Sequence, residues 1–338
     1  MSSLKCATPQ GTTRYRERFA DRAAKGQFRE QQGLVLSSIG IGTYLGNPDE
    51  VTDSNYTNAI VRAVQLGVNL IDTAANYRFQ RSERSIGEAL KILANEHGIT
   101  REELVICTKG GYLPFDGAPP QNMRDYVNET FVKPGIASFG DIVGGHCMTP
   151  SYLQNQLEQS LRNMGVECVD VYYIHNPESQ LQYVSEQDFY GRLKLAFERL
   201  EENRRQGKLA HYGVATWNGF RVPPDSGHHH SLVRLVELAR EVGGDQHGFR
   251  FIQLPLNVSM PEALAIGNET IDGEAVPVVE AAQRLGVTVV VSASLMQGRI
   301  EPHRAIEFIR SIPAITTALI GMSRVEHVEE NLAADSRR

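Results

Sequence analysis

From about residue 34 onward, short apolar and β-branched runs alternate with longer amphipathic stretches, and the alternation repeats eight times. The strand-like runs fall at 38–43, 69–72, 104–108, 169–175, 210–214, 251–254, 287–292 and 315–320. Helical patterns fall between and after them, at 54–66, 83–95, 151–164, 187–206, 231–242, 275–285, 303–312 and 324–334. The helices show in period-3.6 apolar spacing, as in Ile60, Ala63, Val64 and Leu66, or Leu153, Leu157, Leu161 and Met164. Gly67, Gly98, Gly165, Gly207 and Gly286 stand as stop signals just ahead of the next run. The runs are apolar without interruption, the pattern of strands buried on both faces. Eight β-then-α units predict an α/β chain closed into a (β/α)8 TIM barrel, with a doubly wound open sheet as the alternative.

No stretch rich in Pro, Ser or Gly divides the chain, and one barrel accommodates 338 residues without strain. The domain reading is therefore an N-terminal arm, 1–27, and a single barrel domain, 28–338. Within the latter, 28–36 reads as a hairpin covering the barrel's far end. The connections at 110–148, 217–230 and 257–274 are long and follow strand ends, which puts them at the carboxyl face, where barrels keep their active sites.

A net charge of -6 argues against nucleic acid or an anionic membrane as partner, since both reward a basic surface. No apolar run is long enough to span a bilayer, and the polar first thirty residues do not resemble a signal peptide. Cys6, Cys107, Cys147 and Cys168 are widely spaced with no C-x-x-C, so neither a disulfide framework nor a zinc site is expected. These features predict a soluble, cytoplasmic protein that binds a small molecule and no metal; they leave the oligomeric state open.

Ionisable residues gather at strand ends. Asp72 closes the second run in Leu70-Ile71-Asp72-Thr73-Ala74, and Tyr77 follows five positions on. Lys109 ends the third run and His175 the fourth. One polar residue capping a strand is usually a structural hydrogen-bonder, and an Asp–Lys pair alone would be an ordinary buried ion pair. Four such positions on neighbouring strands converge on one side of a barrel mouth, and that coincidence favours catalysis.

The order Asp72, Tyr77, Lys109, His175 resembles the catalytic tetrad of the aldo-keto reductase superfamily. The strings Ile71-Asp72-Thr73-Ala74-Ala75-Asn76-Tyr77, Thr108-Lys109 and Gly40-Ile41-Gly42-Thr43-Tyr44 are similar to that family's as well, and the likeness runs from about Phe28 to Leu332. The resemblance implies hydride transfer to an aldehyde or ketone, or oxidation of the corresponding alcohol or sugar hemiacetal. Tyr77 would be the general acid/base, with its hydroxyl acidified by Lys109, which Asp72 holds charged. His175 would polarise the carbonyl oxygen.

The resemblance also implies NADPH, with NADH as the alternative nucleotide. Thr43 and Tyr44 would lie near the nicotinamide, with Asp72 close by, and Gln253 would meet the carboxamide. The segment from Ser292 through Leu295, Gln297 and Gly298 would straddle the pyrophosphate. Gly321, Ser323, Arg324, His327, Glu330 and Asn331 would hold the phosphate and adenine, with Arg299 or Arg324 against a 2′-phosphate. By itself this last segment reads as a capped surface helix, with Ser323 as N-cap. Two departures from the family appear: Ala215-Thr216 replaces Ser-Asn, and Ser292 stands where relatives carry an aromatic ring that stacks on the nicotinamide. Tyr44, Tyr112 and Trp217 are expected to wall the substrate pocket.

Other motifs carry less. His228-His229-His230 reads as a solvated loop, and the single pair His146 and Cys147 is a weak zinc signal. A redox-sensing nucleotide module of the same fold with little turnover is the second reading. A Schiff-base aldolase built on Lys109 is the third.

Overall fold

The computed structural model describes residues 5–333. Position 334 of the expected last helix, and the outer ends 1–4 and 334–338 of the expected arm and barrel segment, lie outside the described residues. The eight runs form strands β1 (Ile39–Gly42), β2 (Leu70–Asp72), β3 (Val105–Gly110), β4 (Val169–His175), β5 (Leu209–Ala215), β6 (Phe249–Pro255), β7 (Thr288–Ser292) and β8 (Ile315–Gly321). They close in the order β7–β8–β1–β2–β3–β4–β5–β6, every neighbouring pair parallel. This is the expected (β/α)8 barrel.

The helices that follow the strands are α1 (Glu50–Gln65), α2 (Arg81–His97), α3 (Pro150–Met164), α4 (Glu186–Arg205), α5 (Leu232–Gly243), α6 (Val278–Arg284), α7 (Pro302–Arg310) and α8 (Val325–Ala333). Gly98 and Gly165 end α2 and α3 in the left-handed conformation that favours glycine there. Helix α1 starts four residues before 54 because the Asp49 carboxylate accepts from the Thr52 amide at 2.8 Å and caps it. Helix α6 starts later than 275, behind Pro277. Residues 274–276 instead pair with 269–271 in a hairpin turned by Asp272-Gly273, both at positive φ.

Two packed layers follow from the doubly buried strands. Outside the barrel, Ile41, Ile71, Ile106, Ile174 and Val214 meet helix residues such as Ile60, Ile86, Leu157 and Phe197. Inside, Leu70, Val105, Cys107, Val171, Tyr173, Phe251, Val290 and Leu319 fill the lumen with Leu34 and Leu36. The last two come from the hairpin Phe28–Gln31/Leu34–Ser37, which plugs the amino-terminal end as the sequence suggests. Asn69 stitches plug to barrel: its Oδ1 accepts from the Ser37 amide at 2.7 Å, and its Nδ2 donates to the Val35 carbonyl at 2.8 Å.

The N-terminal arm carries a helix, Pro9–Glu17, whose Tyr15 is fully buried and donates its hydroxyl to the Val64 carbonyl at 2.5 Å. One sequence expectation fails beside it, that the cysteines would not pair. Cys6 and Cys168, separated by 162 residues, form a disulfide with Cα atoms 5.1 Å apart. Cysteine spacing hid this pair because only the finished fold lays the arm beside the start of β4, and the bond removes that spacing as an argument for a reducing compartment. Among the described residues no helix is long and apolar enough to cross a membrane.

Candidate active site

Side chains along a strand alternate faces, so the next inward position above each lumen residue lies two residues on. Two beyond Leu70 is Asp72, beyond Cys107 is Lys109, beyond Tyr173 is His175, beyond Phe251 is Gln253 and beyond Val290 is Ser292. Register keeps these ends level, with Gly321 opposite Gly42, Gly42 opposite Asp72, Asp72 opposite Cys107 and His175 opposite Ala215. The packed lumen thus ends in a polar floor, above which opens a cavity of about 1000 Å³.

At that floor Lys109 is buried and donates its ammonium to Asp72 Oδ1, and also to the Thr73 carbonyl at 2.8 Å. The second Asp72 oxygen accepts from Gln253 Nε2 at 2.8 Å. Lys109 Nζ lies 5.0 Å from the centre of the Tyr77 ring. That ring meets His175 edge-on with centroids 5.8 Å apart, and Tyr44 at 5.0 Å. The structure therefore brings Asp72, Tyr77, Lys109 and His175 together. Three of them face the cavity, whereas Lys109 stands behind Asp72 and Tyr77.

Tyr77 owes its aim to an unusual turn. Arg78, Phe79 and Gln80 all take positive φ (48°, 57° and 71°), a conformation costly for side chains with a Cβ. Arg78 pins the turn: its guanidinium is buried, pairs with Asp53 and donates to the Asn47 carbonyl at 2.9 Å.

Burial sets most of the electrostatics. It lifts the Tyr77 phenol above its usual value, with the Lys109 ammonium pulling the other way. The acidification expected from Lys109 is thus outweighed, and Tyr77 rests as a neutral phenol. Burial pulls the Lys109 ammonium down, but Asp72 and Tyr77 more than restore it, so its pKa is raised. Burial, then the charge of Lys109 and the proximity of His146, push His175 well below the ordinary histidine range. Its Nδ1 is buried without a partner among the described residues, leaving Nε2 as the ring nitrogen that can meet a ligand.

The expected binding residues Thr43, Tyr44, Tyr112, Thr216, Trp217, Gln253, Ser292, Leu295, Gln297, Gly298, Arg299, Gly321, Ser323, His327, Glu330 and Asn331 all line the same cavity. Arg324 does not; its guanidinium turns to His327 Nε2 at 2.8 Å. The hydroxyls of Thr216 and Ser294 are buried in the cavity wall without partners among the described residues. The loop that carries Leu295 and Gln297 is strained, with Ala293, Met296 and Gln297 at positive φ.

Sequence reading missed several residues. Asn76 and Asn176, the neighbours of Tyr77 and His175, face the cavity. Glu178 is buried, and its Oε1 accepts from the amides of Trp217 and Asn218 at 2.8 and 3.0 Å, which holds the Trp217 loop. Its place three residues after His175 was the one available signal. The triplet at 228–230 is not the solvated loop expected. His230 is fully buried, stacked on Phe189 with Phe220 at its edge, because the 217–230 loop folds down against α4.

A profile of the Aldo/keto reductase family matches residues 38–222, more than half of the chain. The chain belongs to the aldo/keto reductase family. Among curated relatives, this aldo/keto reductase is 27% identical over 187 residues to the NADH-specific methylglyoxal reductase of Escherichia coli K12, covering 54% of this chain and 49% of that protein. It is 31% identical over 161 residues to the aldo-keto reductase AMT2 of Alternaria alternata, covering 46% of this chain and 42% of that one. The chain spans about half the length of the curated relatives it matches. Among solved structures, the holo form of aldo-keto reductase AKR11C1 from Bacillus halodurans superposes with a TM-score of 0.61 at 16% identity, covering 92% of this chain and 91% of that one. That likeness speaks for the fold.

Proposed function

We propose that this aldo/keto reductase is an NADPH-dependent carbonyl reductase that converts an aldehyde or ketone to the alcohol, or runs the reverse oxidation on an alcohol or sugar hemiacetal. The observation that carries the reading is the floor of the cavity, where a buried ammonium, a paired carboxylate, a phenol and a neutral imidazole meet.

The residues present fit the dinucleotide. Buried hydroxyls of Thr216 and Ser294 lack partners among the described residues, and Arg299 stands exposed at the rim, beside the cavity wall formed by Ser323, His327, Glu330 and Asn331. Arg299 rather than Arg324 is the cation to meet a 2′-phosphate, since Arg324 is turned to His327. Gln253 gives one Nε2 hydrogen to Asp72, which leaves its Oε1 as acceptor and its second Nε2 hydrogen as donor for a carboxamide. When bound, the reduced nicotinamide supplies a hydride to the carbonyl carbon.

Everything else falls to the protein. Tyr77 gives its proton to the carbonyl oxygen, and Lys109 stabilises the tyrosinate left behind. Asp72, held on one oxygen by Lys109 and on the other by Gln253, keeps the ammonium in place. His175 Nε2 donates to the carbonyl oxygen and orients it towards Tyr77; a neutral imidazole does this without competing for the proton. Tyr44, Tyr112 and Trp217 wall the substrate side.

The test is a titration with NADPH and with NADH, followed by the fluorescence of Trp217, the sole tryptophan, then absorbance at the nicotinamide band with a panel of aldehydes. Quenching by NADPH with aldehyde-dependent loss of absorbance is the expected result. Binding without turnover on any aldehyde would replace the reductase by a nucleotide-sensing module. No binding of either nucleotide would overturn the cofactor assignment.

A further inference from the structure

His146 lies outside the tetrad, at the far end of the long connection after β3, yet it is fully buried directly beneath His175. Its Nε2 is 2.8 Å from the His175 main-chain carbonyl, and its Nδ1 is 2.9 Å from Gln180 Nε2. Gln180, also buried, receives Arg192 NH1 from α4 on its Oε1 at 2.9 Å. The direction of every bond in this chain is fixed by its two ends. A guanidinium can only donate, so Gln180 Oε1 accepts and its Nε2 must donate to His146 Nδ1. A carbonyl can only accept, so His146 Nε2 carries the proton. The tautomer is thus dictated by chemistry.

The same imidazole braces the aromatic wall. It meets Tyr112 edge-on at 5.3 Å, and Tyr112 in turn meets the His175 ring at 5.1 Å. It also closes the neck of the loop. Tyr112 and His146 are bridged as antiparallel partners, and the Cys147 amide donates to the Gly111 carbonyl at 2.8 Å. The fit is close enough that a Cβ on Gly111 would come within 2.5 Å of His146 Nε2. Burial holds the His146 pKa down at about 4, so the ring stays neutral and its single N–H is not redistributed at ordinary pH.

We propose that His146 is a positioning residue for the reduction, holding His175 from behind through the directed chain Arg192–Gln180–His146 and tying the substrate-side loop to the catalytic strand. The proposal rests on the reductase reading for its kinetic consequence but not for its geometry. Grip on the His175 carbonyl fixes where the imidazole points, and a misplacement of about 1 Å in such a group costs on the order of 10²-fold in rate.

Two variants separate position from mere packing. In His146→Gln the amide nitrogen can occupy the place of Nε2 and still donate to the carbonyl. In His146→Asn the amide reaches only the place of Nδ1, and the carbonyl loses its donor. The expected result is a kcat about 10²-fold down in His146→Asn, substantially recovered in His146→Gln, with NADPH affinity unchanged in both and similar thermal midpoints. Equal kcat in the two variants, or losses that follow the thermal midpoint, would overturn the positioning role. Long-range proton–nitrogen NMR of the wild-type ring reads the wiring without any turnover. A proton on Nε2 that does not titrate between about pH 5.5 and 8.5 supports it, and a proton on Nδ1 or a titration in that window contradicts it. A wild-type protein with no reductase activity would sink the reaction while leaving the NMR arm decisive for the chain.

Discussion

At the residue scale, burial sets the resting state of the Tyr77 phenol against the pull of a buried lysine. Burial raises the Tyr77 pKa and Lys109 opposes it, so the resting group is a phenol, which in the proposed reaction gives up its proton as an oxyanion develops beside it. A pH profile follows with a definite sign. In the proposed reaction, reduction needs the protonated phenol, so its kcat/KM stays flat through neutrality and falls only above the ordinary phenol range. Oxidation needs the tyrosinate and rises with pH towards the same region. His175, depressed well below the histidine range, adds no acid limb near pH 6.5. A limb there, lost in His175→Gln, would contradict the neutral-imidazole assignment. The turn behind Tyr77 makes a second prediction. Arg78→Ala removes the contacts to Asp53, Asn47 and Asp49 that hold a left-handed turn. We expect kcat to fall about tenfold or more while the nucleotide Kd hardly moves, since a loosened donor acts on the transition state alone. An equal loss in both would show that the turn supports the cofactor instead.

At the scale of elements, the strands were legible because a strand buried on both faces is written as an unbroken apolar run, and those runs need no knowledge of their neighbours. The tetrad was legible for a related reason: Asp72, Lys109 and His175 each sit two residues past an apolar lumen position, so the pattern carries the site with it. What escaped were contacts made only by the folded chain. The Cys6–Cys168 bond, the Arg101–Asp170 pair at 2.7 Å and the Arg192–Gln180–His146 chain join residues with no local pattern between them. The short hairpin at 269–276 escaped although Asp272-Gly273 is a strong turn signal, because the apolar period of α6 was extended backward through it. The arm invites a direct measurement. A crosslink closing a loop of 162 residues restricts the unfolded chain, and Cys6→Ser should lower the unfolding free energy by about 2–4 kcal/mol. Because Cys6 lies at the opposite end of the barrel from Tyr77, kcat should not change. An unchanged urea midpoint would mean that Tyr15 and the Ala7–Asp170 hydrogen bond at 2.6 Å already fix the arm.

At the scale of the whole molecule, the proposed reaction divides around one cavity. Strands β2 to β4 carry the tetrad, and β7, β8 and the start of α8 line the side proposed for the nucleotide. Arg299→Ala should therefore weaken NADPH about tenfold or more, as loss of a charge-assisted contact does, while NADH affinity and the KM for aldehyde stay put. A parallel loss for both nucleotides would remove Arg299 from the 2′-phosphate. The central claim, that Tyr77 is the proton donor of a hydride-transfer site, is tested most directly by comparing Tyr77→Phe with the wild type. Both would be measured for NADPH binding by Trp217 fluorescence and for aldehyde-dependent NADPH oxidation. The account predicts nearly unchanged binding with turnover reduced by about 10²–10⁴-fold, the range of a lost general acid. Turnover that survives the loss of the hydroxyl, or falls only in step with binding, would contradict it.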